Sequence, residues 1–245
     1  MGFEGKVAFV TGGGSGIGAE CVRRFADLGA YVVAADINAE NVAKVAADAG
    51  DNVRGVQMDV TDPDAVAATI ADITATEGAL HVAVNNAGIT GELAPTHELS
   101  IEAFRRAIDI NLAGVFHGMR AEIPAIINSG GGVIVNTASV AAASGYPYAA
   151  AYCASKHGVL GLTRAAGVEY AQAGVRVVAV GPGAIDTPMT RAAPPEVAKA
   201  AIEMAPAKRP GRPEEVAAAI CFLASPEASF ITGSYHAVDG GYLAQ

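Results

Sequence analysis

Tyr152 and Lys156 stand four residues apart in Tyr-Cys-Ala-Ser-Lys, inside a helical pattern that reaches about Tyr170. Residues at that spacing share a helix face. An ammonium beside a phenol stabilises the phenolate and draws its pKa down from about 10 toward working pH. Tyr152 could then protonate a ketone oxygen and, in reverse, deprotonate an alcohol. Ser139 closes the stretch Val133-Ile134-Val135-Asn136-Thr137-Ala138-Ser139, just past a strand, where open α/β sheets place ligands. Its hydroxyl could donate to a developing alkoxide; an N-cap or turn serine is the rival reading. Asn111 interrupts a long helical pattern, where Asn is a poor helix former. It could reach a backbone carbonyl or a water chain, or simply occupy a polar helix position.

A second group of residues belongs to phosphate and ribose chemistry. Thr11-Gly12-Gly13-Gly14-Ser15-Gly16-Ile17-Gly18 follows the first apolar run directly and opens a helix. Glycine there lets backbone N–H groups approach a pyrophosphate, and the helix N-terminus adds partial positive charge. The plainer alternative is a tight strand–helix turn that needs positive φ. Asp36 lies 18 residues after Gly18, at the end of Tyr31-Val32-Val33-Ala34-Ala35-Asp36. A carboxylate at that point accepts hydrogen bonds from ribose hydroxyls and repels a 2′-phosphate. No Lys or Arg sits in the glycine loop or just beyond Asp36, so the electrostatics favour NAD(H) over NADP(H). An N-cap role for Asp36 in the next helix is the competing reading. Asp59 and Val60 repeat this geometry after the third run and could meet the adenine ring, with a turn or N-cap role for Asp59 as the alternative.

These residues need a frame, and short apolar runs alternate with helical patterns along the chain. The runs cover residues 7–10, 32–35, 53–58, 80–84, 133–135 and 175–180, with a weaker one at 237–238. Most are continuous and Val-rich, as parallel strands covered on both faces must be. Ile17, Cys21, Phe25 and Leu28 share a helical face that Gly29 ends. Asp62-Pro63 reads as N-cap and N1 of another helix, and Ser100 caps a long one running toward Asn128, bent near Pro124. Pro213-Glu214-Glu215 opens a further helix with its acids at the positive end. Such alternation implies an α/β, Rossmann-type, doubly wound parallel sheet of seven strands with helices on both faces. No linker divides residues 1–245, which read as a single domain. The one irregular stretch, residues 181–211 with prolines at 182, 188, 194, 195, 206 and 210, reads as a substrate-binding loop at about 184–209.

Composition narrows the function classes. Charged residues are 17% of the 245 and hydrophobic ones 51%, which excludes a disordered chain. The net charge of −9, without a Lys/Arg cluster, argues against a nucleic-acid partner. No apolar run of about 18 residues offers a membrane span. Three cysteines (21, 153 and 221) without paired spacing read as small buried residues in a reducing compartment. The first residues lack a signal-peptide core, so a cytoplasmic location is expected. Five histidines (81, 97, 117, 157 and 236) lack metal-ligand spacing, and no metal is expected.

The chain resembles the short-chain dehydrogenase/reductase family, in its single-domain branch of about 250 residues, over essentially its whole length. The family pattern Thr-Gly-x3-Gly-x-Gly is matched by Thr11 to Gly18, Asn-Asn-Ala-Gly by Asn85 to Gly88, and Tyr-x3-Lys by Tyr152 and Lys156. Asn111, Ser139, Pro182-Gly183 and Thr187 fall in the family's order. The resemblance implies that Tyr152 protonates the carbonyl oxygen, Ser139 holds it, and Lys156 binds the nicotinamide ribose. Asn111 would anchor a water linking Lys156 to solvent. Asn86, Ala87 and Gly88 would support the cofactor, and Ile185 and Thr187 would contact the carboxamide. Gly181 departs from the pattern, since many members carry a polar residue there. Tyr146 and Pro147, and more weakly Glu92 and His97, are candidates for the substrate pocket, an ordinary packed turn being the alternative for the first pair.

The expected activity is NAD(H)-dependent interconversion of a secondary alcohol and a ketone. A β-ketoacyl reductase is disfavoured by Asp36 and the missing basic patch. A catalytically silent nucleotide-binding regulator is disfavoured because Ser139, Tyr152 and Lys156 are all kept. The Ser100 and Tyr152 helices are apolar over more than one face and must be buried, in their own domain or against another subunit. Relatives commonly form tetramers through these helices, so a homotetramer is expected.

Overall fold

The computed structural model describes residues 2–193 and 195–245. Seven strands form one sheet: β1 (Val7–Thr11), β2 (Tyr31–Asp36), β3 (Val53–Gln57), β4 (Val82–Asn85), β5 (Gly132–Thr137), β6 (Val175–Pro182) and β7 (Tyr235–Val238). Their order is β3-β2-β1-β4-β5-β6-β7, and every neighbouring pair is parallel. After β1 the chain winds outward through β2 and β3, then returns to lay β4 against the other side of β1. That reversal is the topological switch point, where the crevice of a doubly wound sheet opens.

The Val-rich continuity of the strands has its cause in the two helix layers. Successive side chains alternate faces. Ala8, Val10, Val32, Ala34, Val84, Val135 and Val178 enter one core with α1 (Gly16–Asp27), α2 (Ala39–Ala49) and α9 (Pro213–Ala224). Phe9, Val33, Ala83, Ile134 and Val177 enter the other with α3 (Pro63–Thr76), α5 (Gly114–Asn128) and α6 (Ala150–Glu169). This is the Rossmann-type architecture expected from the sequence.

Helix starts follow capping chemistry. Asp62 accepts from the N–H groups of Asp64 and Ala65 at 3.0 and 3.1 Å, with Pro63 at N1. Ser100 accepts from Ala103 N–H at 3.1 Å and opens α4 (Ile101–Ile108). Gly29 takes φ +90° just past the end of α1.

Three departures from the sequence expectation bear on the site. The long helix from Ser100 leaves α geometry at a π-helical turn, Asp109–Ala113, that the sequence did not suggest, and Pro124 lies inside α5. The 184–209 stretch is largely helical, holding α7 (Pro188–Arg191) and α8 (Pro195–Met204), and an isolated parallel bridge pairs Ile185 with Gly211 at its base. Pro194 lies outside the described residues. Cys21 and Cys221 are buried as expected, but Cys153 is only partly so, and its sulfur accepts from Tyr146 N–H at 3.3 Å. Among the described residues, no helix is long and apolar enough to cross a membrane.

Candidate active site

The crevice is built by hydrogen bonds between strand ends. The Thr11 hydroxyl oxygen accepts from Asn86 N–H at 3.0 Å and Ala87 N–H at 3.1 Å, while Asn86 Nδ2 donates to Thr11 O at 3.1 Å. The end of β1 is thereby stitched to the segment after β4. The glycine loop then turns through positive φ at Gly12 (+64°) and Gly16 (+52°). Asp36 braces it from β2: Oδ2 accepts from Gly14 N–H at 3.0 Å and Oδ1 from Asn38 N–H at 2.9 Å. A carboxylate offers about four acceptor positions, so Asp36 keeps capacity for further donors. Asn38, not Asp36, caps α2, accepting from Asn41 N–H at 2.9 Å.

One cleft of about 760 Å³ runs along this edge, within the roughly 300–1,000 Å³ typical of ligand sites. Its walls include Gly12, Ser15, Gly16, Ile17, Asp36, Asp59, Val60, Asn86, Ala87, Gly88, Ser139, Tyr152, Lys156, Pro182, Gly183, Ile185 and Thr187. All of these were expected from the sequence. Two expected residues stand behind the wall instead. A Cβ on Gly18 would lie 2.0 Å from Gly12 O, so this glycine lets α1 pack against the loop rather than face the cleft. Asn111, fully buried in the π turn, accepts from Ile89 N–H and donates to Ile89 O, both at 2.8 Å, and donates to Ser155 Oγ at 3.2 Å. Both its N–H groups are spent on protein partners. Such turns recur at functional sites, and this one clamps the chain beyond Gly88.

Asp59 realises its turn reading as well, accepting from the Thr61 N–H and hydroxyl at 2.8 Å each. Thr187 caps α7 in a reciprocal box with Thr190. Tyr146 stacks on Tyr242, with centroids 5.9 Å apart and planes at 22°, and is absent from the cleft wall, as are Pro147, Glu92 and His97. The wall contributed by Arg105 and Arg106 of α4 and Asp109 of the π turn carries no sequence signal that pointed to it.

At the chemical end, Ser139 caps a single 3-10 turn, Val140–Ala142, accepting from Ala141 N–H at 3.2 Å. Both readings of this serine are therefore compatible: its lone pair serves the cap while its proton is turned toward Tyr152. Lys156 is buried and donates to Thr137 O at 2.8 Å, with Nζ 5.8 Å from the Tyr152 ring centroid. Burial lowers its pKa to about 8. The Tyr152 pKa is raised rather than lowered, because desolvation of the phenol outweighs the hydrogen bond from Ser139. The expected lowering by Lys156 does not operate here, since the ammonium is itself desolvated and turned to Thr137 O.

Beneath the cleft lies a buried polar chain that the sequence reading missed. Asn85 Nδ2 donates to Glu122 Oε2 at 2.9 Å and to Asn136 Oδ1 at 3.1 Å, and Asn136 Nδ2 donates to Thr163 Oγ1 at 3.0 Å. It ties α5, β4, β5 and α6 together directly below Thr137 and Lys156. Glu122 is fully buried and its Oε1 has no partner among the described residues. Burial raises its pKa to about 8.

Comparison with known proteins agrees over the full length. The family described as enoyl-(acyl carrier protein) reductase matches residues 12–243. The chain is 46% identical to the cyclohexanol dehydrogenase of Acinetobacter sp. (strain SE19), covering 99% of this chain and 97% of that protein. It is likewise 46% identical to the cis-4-hydroxycyclohexanecarboxylate dehydrogenase of Sinomonas cyclohexanicum, over 99% and 98%. The crystal structure of a levodione reductase superposes with a TM-score of 0.95 at 36% identity, covering 99% of each chain.

Glu122 gives stability a pH dependence of definite sign. The folded chain holds this proton up to about pH 8, against an ordinary value of 4.5. Between those values the folded state binds the extra proton, so its advantage is complete below about pH 4.5 and is lost as pH rises toward 8. In urea titrations across this window the wild type should lose about 1.4 kcal/mol per pH unit more than Glu122→Gln. Equal slopes would mean that the carboxyl is ionised in the folded state.

Proposed function

The chain belongs to the short-chain dehydrogenases/reductases, and from that premise we propose that it interconverts a six-membered-ring secondary alcohol and its ketone with NAD(H), Tyr152 acting as general acid and base. The chemistry is oxidoreduction at a CH–OH group with a nicotinamide cofactor. The observation that carries the finer reading is the single cleft wall that joins the glycine loop and Asp36 to Ser139, Tyr152 and Lys156. The cradle fits a dinucleotide: Gly12, Ser15, Gly16 and Ile17 line the cleft at the N-terminus of α1, and a Cβ on Gly12 would lie 2.9 Å from Ala87 Cα, so only glycine allows the tight turn that brings this backbone to the cleft.

Bound there, the nicotinamide supplies or accepts the hydride. The protein's part is to hold the substrate oxygen and move its proton. Tyr152 keeps its proton through neutral pH because the phenol is desolvated, which suits it to protonate a ketone oxygen. Ser139 donates its free hydroxyl hydrogen to the same oxygen, where negative charge develops. Lys156, anchored on Thr137 O, presents its remaining donors to the cofactor ribose and the phenol. Asn111 serves this reading as a brace for Ile89 rather than through a free amide. Asp36 accepts from the adenosine ribose hydroxyls and repels a 2′-phosphate. The ring substrate is supported by the names of the two 46% identical relatives and by the apolar Ile89, Ala138, Ile185 and Met189 on the wall.

We further infer a homotetramer. Phe116 and Ile127 are 50% and 38% exposed along the α5–α6 groove, and Phe222 and Phe230 are 40% and 104% exposed on α9 and before β7. Two separate apolar faces are what two isologous two-fold contacts require.

Three outcomes test these readings. Purified protein should reduce cyclohexanones with NADH faster than aliphatic ketones, steroids or β-ketoacyl thioesters, and Tyr152→Phe should lose at least about a thousandfold in kcat while binding NADH as before; near-normal turnover of that variant would reject the mechanism. NADH should bind more tightly than NADPH, with Asp36→Asn narrowing the gap; tighter NADPH binding in the wild type would refute the preference. Light scattering at micromolar concentration should give four times the 24.6 kDa chain mass, and a monomer would contradict the assembly.

A further inference from the structure

Gly181 sits near the end of β6, beside the turn that carries Ser139. A side chain there has no room. Its Cβ would lie 1.9 Å from Tyr235 Oη, 2.2 Å from Tyr235 Cζ and 2.5 Å from Cε2. The space is taken by Tyr235, which pairs with Ala179 in the β6–β7 register and runs past Gly181 toward β5. Its hydroxyl donates to Ser139 O at 3.0 Å. The same carbonyl accepts from Ala142 N–H at 2.9 Å, and Ser139 Oγ accepts from Ala141 N–H at 3.2 Å. Ser139 is thus held at its carbonyl from two sides and at its hydroxyl lone pair from a third. Its hydroxyl hydrogen is directed to the cleft side, toward Tyr152.

We propose that Tyr235 is a positioning residue of the reaction: its hydroxyl, passing through the gap that Gly181 leaves, holds the Ser139 backbone so that the serine hydroxyl meets the substrate oxygen. This rests on the reading of Ser139 as donor to that oxygen. β5 ends at Thr137, and Ala138 N–H still donates to Val180 O of β6 at 2.8 Å; Ser139 lies one residue past that bond, and Tyr235 holds its carbonyl from β7. Gly181 and Tyr235 form one device, since any side chain at 181 would displace the phenol. The bond persists across the working pH range, because burial, with Asp239 and Tyr152 nearby, pushes the Tyr235 pKa up to about 12 and keeps the proton in place.

Tyr235→Phe removes only the donor and leaves the ring in its slot. It should lower kcat about tenfold, leave the NADH dissociation constant within about twofold, and speed amide exchange at Ala141 and Ala142. Gly181→Ala should do the same in the wild type by displacing the phenol, and should add little further loss to Tyr235→Ala, where the slot is empty. Normal kcat in Tyr235→Phe overturns the proposal whether or not exchange changes. A loss of kcat with unchanged exchange overturns it too, because the hydroxyl would then act elsewhere. Ser139→Ala separates the two levels. If it destroys turnover while Tyr235→Phe is normal, the proposal alone fails; if it is itself normal, the reading of Ser139 fails and the proposal with it.

Discussion

A parallel sheet covered on both faces can offer a ligand only its carboxyl edge, and that constraint orders the rest of this molecule. The central strands must be apolar, since both their faces are buried under helices. In the central strands β1, β4 and β5 polar residues enter only at the carboxyl end: Thr11 in β1, Asn85 in β4, Asn136 and Thr137 in β5. All four are buried. A buried polar group without a partner costs about 1–3 kcal/mol, so these strand ends must bond to one another or to the loops beyond them. They do both. The Thr11–Asn86 clasp shapes the glycine loop, and Thr137 O anchors Lys156. The site is the place where the sheet's polar groups find partners.

Burial also sets the electrostatics, and it acts on acids and bases in opposite senses. Desolvation favours the neutral form of every group. Lys156 is drawn down to about 8 and Glu122 up to about 8, while the Tyr152 phenol is pushed upward. A Tyr–Lys pair read from spacing alone predicts a phenol made more acidic by its neighbour. In the fold, Lys156 spends one donor on Thr137 O and pays a desolvation cost of its own. Tyr152 is therefore held in its neutral, protonated form.

Those differences show which layer of the molecule can be read from one dimension. Val7–Thr11, Tyr31–Asp36 and Val175–Pro182 declare themselves as strands because both their faces are apolar. The glycine loop, Asp36 and Ser139 were legible because each lies at a local junction of strand, turn and helix, and Tyr152 and Lys156 because four-residue spacing puts them on one face of α6. Glu122 was not. It sits among Met119, Ile123 and Ile126 on α5, and nothing at that spacing separates a buried glutamate from a solvated one. Its partner Asn85 is 37 residues away, and the pairing exists only once β4 and α5 have met. The π turn at Asn111 is likewise tied to a distant partner, Ile89, and the 184–209 stretch is closed at its base by the pairing of Ile185 with Gly211.

Gly181 shows the same limit from the other side. In the sequence it is only a missing polar residue, a departure with no visible compensation. The compensation lies 54 positions downstream, where Tyr235 enters through the neighbouring strand and fills the vacated volume. A glycine and a tyrosine so far apart have no shared local signal, yet each is intelligible only through the other: without the gap the phenol cannot reach Ser139 O, and without the phenol the gap is a cavity under the active-site turn. The hydrogen bond to Ser139 O comes from β7, through the space that glycine leaves in β6, so residue identity at a single position is a weak guide to the interactions around it.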